Sequence, residues 1–98
     1  MSEITITEAE KRRSTDQILD VREDSEVAQG TIPGAVHIPL GDLGARLSEL
    51  DRTVPVIAIC RSGNRSATAA DTLNQAGFTA DTMAGGMTAW QEAGLPTT

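Results

Sequence analysis

Val54-Pro55-Val56-Ile57-Ala58-Ile59 is an almost unbroken apolar run that ends on Cys60. A strand without polar alternation has no face to offer to water, so both of its faces must be covered. That is the position of a central parallel strand with helices on either side. The rest of the chain supplies partners for it. Ile4-Thr5-Ile6 reads as a short strand, and Thr7-Glu8-Ala9-Glu10 as a Ser/Thr-x-x-Glu capping box opening a helix. Strands follow at Gln17–Val21 and Ala35–Ile38, with a brief helix from Ser25 to Gln29 closed by Gly30 between them. Leu40, Leu43, Leu47 and Leu50 recur at helical spacing and predict one apolar helix face. Beyond Cys60 a helical pattern carries Ala69, Leu73 and Ala76 on one side and stops at Gly77. Thr79–Thr82 is a last strand, and Gly85-Gly86 leads into a final helix with Met87 and Trp90 that ends at Gly94. Strands alternating with helices give an α/β fold with a mainly parallel sheet of five strands and helices on both faces. The length of 98 residues suits one domain, residues 1–98, with a modest core that needs neither disulfide nor metal.

The junction between the central strand and the next helix carries the chemistry. Cys60-Arg61-Ser62-Gly63-Asn64-Arg65-Ser66 is a short polar loop where backbone N–H groups and a helix N-terminus converge, a place to hold a thiolate or an anion. Gly63 admits positive φ, so that successive N–H groups can turn inward, and Asn64 also tolerates left-handed backbone. Arg61 and Arg65 offer planar forks of donors to an oxyanion. Cys60 is the sole cysteine, so no internal disulfide is available, and no Cys/His cluster has zinc spacing. No metal and no cofactor is expected.

Charge sharpens the picture. The net charge of −6 argues against nucleic acid as a partner. From Arg52 to Ala70 there is no Asp or Glu, while Arg52, Arg61 and Arg65 all fall there, and after Arg65 no Lys or Arg occurs. Cationic charge kept beside the thiol would draw small anions. The Lys11-Arg12-Arg13 run reads as a solvated helix end. No stretch is apolar enough to span a membrane or to act as a signal peptide, so a soluble protein of the reducing cytoplasm is expected, and an acidic chain with no clear apolar surface stripe is expected to be a monomer. His37, Asp20 and Arg22 read as structural residues, and Trp90 with Met87 as core.

The loop resembles the active-site loop of single-domain rhodaneses, which are sulfurtransferases. Two further segments share the resemblance. Leu19-Asp20-Val21-Arg22-Glu23 followed by Gly30-Thr31-Ile32-Pro33-Gly34-Ala35-Val36-His37-Ile38-Pro39 is similar to the family's N-terminal signature in order and spacing. Gly85-Gly86-Met87-Thr88-Ala89-Trp90 is similar to its C-terminal one. Thr31 departs from the His usual in the family, at a position that belongs to a structural turn. The resemblance spans residues 18–90 and implies a rhodanese-like three-layer sandwich.

It also implies a reaction. Cys60 thiolate takes the sulfane sulfur from a small anionic donor such as thiosulfate, becomes a persulfide, and passes the sulfur to a thiol or cyanide acceptor. Cys60 is then the catalytic residue, and Arg61, Ser62, Gly63, Asn64, Arg65 and Ser66 line the substrate. Two other readings stand beside it. One is a persulfide carrier or regulatory module that serves an acceptor protein. The other is a small cysteine phosphatase or arsenate reductase, whose loops carry one more residue between Cys and Arg than the four found here.

Overall fold

The structure is a computed structural model and describes residues 2–98. Its strands are β1 (Ser2–Ile4), β2 (Gln17–Asp20), β3 (Val36–His37), β4 (Val56–Ile59) and β5 (Ala80–Met83), joined in the order β1-β5-β4-β2-β3. Every pairing is parallel, so the sheet is wholly rather than mainly parallel. The apolar run occupies the centre, as its composition requires. β4 pairs along its length with β2 on one side and with β5 on the other.

Alternation along β4 divides the core in two. Val56, Ala58 and Cys60 lie in one apolar cluster with Leu43, Leu50, Ala69, Ala70, Leu73 and Ala80, on the face covered by α3 (Asn64–Gln75). Ile57 and Ile59 lie in a second, with Ala9 of α1 (Ile6–Arg12) and Met87 and Trp90 of α4 (Gly86–Glu92). Helix, sheet and helix form three layers. Where α3 meets the sheet, four of the facing residues are small, Ala58, Ala69, Ala70 and Ala80, all buried beside the larger Val56 and Leu73. A short helix, α2 (Asp24–Val27), stands outside both clusters and buries none of its own residues.

Two local expectations are corrected. The first strand ends at Ile4, and the first helix is capped by Thr5 rather than Thr7: the Glu8 amide donates to Thr5 Oγ1 at 3.1 Å. Thr5-Ile6-Thr7-Glu8 has the same Ser/Thr-x-x-Glu form two residues earlier. That earlier start puts Ile6 and Ala9 together against the second cluster. The leucine segment forms no α-helix. It winds as two 3-10 turns, Leu40–Ala45 and Leu47–Glu49. Leu40/Leu43 and Leu47/Leu50 are each three apart, which a three-residue turn also places on one side, and Gly41 and Gly44 weaken the α-helical alternative. Leu43 and Leu50 are buried all the same.

The carboxyl end of β2 holds a buried ion pair. The Asp20 carboxylate accepts from Arg22 Nε at 3.0 Å, Arg22 Nη2 at 2.7 Å and the Arg22 amide at 3.1 Å. Thr31 Oγ1 donates to the same carboxylate at 2.7 Å, which is what the departing residue does in that turn. Arg22 Nη2 also reaches the Gly30 carbonyl at 2.8 Å. His37 Nε2 donates to the Arg22 carbonyl at 2.7 Å, a structural bond. Residues 95–98 fold back over this region. Trp90 Nε1 donates to the Pro96 carbonyl at 2.8 Å, and the Thr98 amide to the Thr31 carbonyl at 2.9 Å.

Removing one member of a buried pair strands the other charge, which costs about 3–5 kcal/mol. Asp20→Ala is therefore expected to lower the unfolding free energy by about that amount in urea titration. A change below about 1 kcal/mol, the scale of an exposed pair, would mean that water reaches Arg22.

Candidate active site

β4 delivers Cys60 to the start of the loop with its sulfur on the α3 side of the sheet, only 1 % exposed. Gly63 then turns at φ +120°, and α3 begins at Asn64. Among the described residues only glycines have positive φ, so Asn64 is an ordinary first helical residue and the left-handed turn falls on Gly63 alone. The turn brings the Gly63 amide to 3.0 Å from Cys60 Sγ, donating to it. Ser66, one turn into the helix, is fully buried, with its Oγ 3.3 Å from the sulfur.

The Ser66 hydroxyl does not act alone. It lies 2.7 Å from Thr82 Oγ1 on β5, and its one proton can go to the Gly63 carbonyl at 3.1 Å while it accepts from the Cys60 thiol, or turn to the sulfur once that is a thiolate. Thr82 was invisible as a site residue, being part of an ordinary short strand. No sequence signal marks it: its chain neighbours are Asp81 and Met83, and it meets Ser66 only in space. Burial pushes the Cys60 thiol pKa up, but hydrogen bonds from the Ser66 hydroxyl and from the Ser66, Gly63 and Ser62 amides outweigh it, and the net shift is downward. The loop favours the thiolate.

The loop's outward carbonyls are satisfied by α4. The Met87 amide donates to the Cys60 carbonyl at 2.8 Å and the Thr88 amide to the Arg61 carbonyl at 3.1 Å. Contact this close explains the second glycine of Gly85-Gly86 better than a turn alone. At φ +57°, a Cβ on Gly86 would stand 2.5 Å from both of those carbonyl oxygens.

The arginines separate. Arg61 is exposed, and among the described residues its guanidinium has no hydrogen-bond or ion-pair partner. It borders an open depression of about 630 Å³ with Glu26, Gln29, Thr88, Gln91 and Glu92. Arg65 is engaged: its two terminal nitrogens donate to Glu26 of α2 at 2.6 and 2.9 Å. Hydrogen bonding from Arg65 pulls the Glu26 carboxyl down to about 2 against the opposing effect of burial, so it is ionised throughout the neutral range. Arg52, which shares the carboxylate-free stretch, does not reach the site. It lies over the Phe78 ring and bonds the Ala76 carbonyl near the far end of α3. The loop is thus free of carboxylates in sequence but not in space. Ser62 and Asn64 are exposed at its surface.

The chain matches the Rhodanese-like domain family over residues 5–93. It belongs to that family. A rhodanese-related protein of Thermoplasma volcanium superposes with a TM-score of 0.96 at 32% identity, over 100% of this chain and 98% of that one. A Bacillus subtilis protein provisionally named a sulfurtransferase is 46% identical over 74 residues, covering 76% of this chain and 72% of its own length. A protein of Allochromatium vinosum named sulfurtransferase is 39% identical over 80 residues, covering 81% of this chain and 75% of that protein.

Alkylation of Cys60 by iodoacetamide, followed against pH, is expected to titrate below a free cysteine, and Ser66→Ala to move the midpoint up. The same shift links to stability. Between the folded and unfolded pKa values the unfolded chain binds the extra proton, so stability rises with pH across that window; the contribution is full above the unfolded pKa and absent below the folded one. Cys60→Ser should flatten that rise in denaturant titrations. Gly86→Ala, which forces Cβ against two carbonyls, should slow alkylation by displacing the loop while the sheet's far-ultraviolet signal persists.

Proposed function

We propose that this chain is a sulfurtransferase working through a Cys60 persulfide. The observation that carries the reading is the cradle itself: a buried sulfur that receives the Gly63 amide at 3.0 Å and meets the Ser66 hydroxyl at 3.3 Å. Such a ring favours a sulfur anion over a thiol, and a persulfide is a sulfur anion extended by one atom. The sulfurtransferase names of two family members point the same way.

With thiosulfate as donor, Cys60 thiolate attacks the sulfane sulfur. A new S–S bond forms on Cys60, the bond to the sulfonate sulfur breaks, and its electron pair leaves with sulfite. Charge balances without a proton, since thiolate and thiosulfate give persulfide anion and sulfite dianion. A thiol or cyanide acceptor then takes the outer sulfur and returns Cys60 as thiolate. Arg61, the unengaged cation at the mouth, binds the donor's sulfonate, while Arg65 holds α2 against the start of α3. A reactive free thiol of this kind belongs in a reducing compartment such as the cytoplasm.

Phosphatase chemistry fits less well. A leaving alkoxide needs a proton, and the carboxyl beside the loop, Glu26, is held ionised by Arg65.

Incubation with thiosulfate should add the mass of one sulfur atom to the wild-type protein and none to Cys60→Ser, and cyanide should discharge it as thiocyanate. Arg61→Gln is expected to raise the thiosulfate KM about tenfold, the loss of one charge-assisted contact. Sulfur uptake by the Cys60→Ser protein, or none by the wild type, would overturn the reading.

A further inference from the structure

Glu26 has two tasks in this structure. Its Oε1 accepts the Glu23 amide at 3.0 Å, which caps α2, and both its oxygens accept from Arg65. The second task removes a cation from the mouth of the site. Arg65 stands next to the loop at the first turn of α3, near enough for the charge on Cys60 to act on it. Both terminal nitrogens, the groups that would otherwise grip a sulfonate, face the Glu26 carboxylate instead. An ionised carboxylate on the rim of the depression that Arg61 borders also repels an incoming dianion.

We infer that Glu26 is a specificity-determining residue: with Arg65 occupied by Glu26 and Arg22 by Asp20, Arg61 is, among the described residues, the unpaired cation left to the donor, which weakens the hold on dianionic sulfonates relative to donors of low charge such as alkyl persulfides. The inference rests on the sulfurtransferase reading and deepens it. With a persulfide RSSH, Cys60 thiolate attacks the outer sulfur, the S–S bond of the donor breaks, and RS⁻ leaves with the electron pair. Cys60 keeps the transferred sulfur and its proton. Such a donor brings no sulfonate and gains nothing from a second guanidinium.

The discriminating variant is Glu26→Gln. Glutamine can still accept the Glu23 amide, so the cap on α2 survives, while the charge that neutralises Arg65 is gone. The thiosulfate KM is expected to fall about tenfold, roughly the effect of one added unit charge on a nearby dianion. The effect should lie in KM rather than kcat, and the KM for cysteine persulfide should move less than about twofold, as for a donor with no dianion to hold. Adding Arg65→Gln to Glu26→Gln should restore the original thiosulfate KM, because the gain runs through Arg65. A thiosulfate KM that stays level or rises in a Glu26→Gln protein of unchanged thermal midpoint overturns the inference. An equal shift for both donors overturns it as well.

A second measurement needs no turnover. Sulfate, an inert dianion, should protect Cys60 from iodoacetamide at about tenfold lower concentration in Glu26→Gln than in the wild type. If the wild type takes up no sulfur, the sulfurtransferase reading fails, and sulfate protection still decides whether Glu26 screens the mouth from dianions.

Discussion

The site depends on two hydrogen bonds that never touch the sulfur. A tight loop carries carbonyls as well as amides, and an unpaired group of either kind is costly once buried. α4 brings amides with no partner inside their own helix, and those of Met87 and Thr88 meet the carbonyls of Cys60 and Arg61. With its acceptors answered from outside, the loop can turn its donors inward. The bare Gly86 backbone makes that approach sterically feasible. The last helix of the chain thus closes the back of a turn that begins at Cys60, more than twenty residues earlier in sequence.

A polar chain runs outward from there. Thr82 backs Ser66, Ser66 meets Cys60, Arg65 binds Glu26, and the Glu26 backbone lies beside the Arg22–Asp20 pair, whose Arg22 Nη1 approaches the Glu26 carbonyl at 3.5 Å. Elements that share little apolar contact are held in register by charge. α2 is the clearest case, with no buried residue of its own. Its place is set by its cap and by Arg65.

The sequence was most legible where one cause acts alone. A strand apolar on both faces has one place in an α/β sheet, and β4 takes it. The turn at Gly63 was legible for the same reason, since glycine alone enters the φ +120° backbone there without strain. Legibility failed where two solutions satisfy one pattern: Thr5 and Thr7 both begin a capping box, and leucines three apart suit a 3-10 turn as well as an α-helix. It failed again where partners meet only in space. Nothing near Arg65 in the chain announces Glu26, and nothing in the composition of β5 marks Thr82.

The small residues under α3 carry a further consequence. Ala58, Ala69, Ala70 and Ala80 let that helix rest low on the sheet, and the helix begins at the turn that wraps Cys60. Its seat height therefore fixes how deep the sulfur lies beneath its ring of amides. One methylene added beneath the helix would lift the ring without altering a single loop residue. Such a position offers natural variation a dial for thiol reactivity that inspection of the loop alone would never reveal.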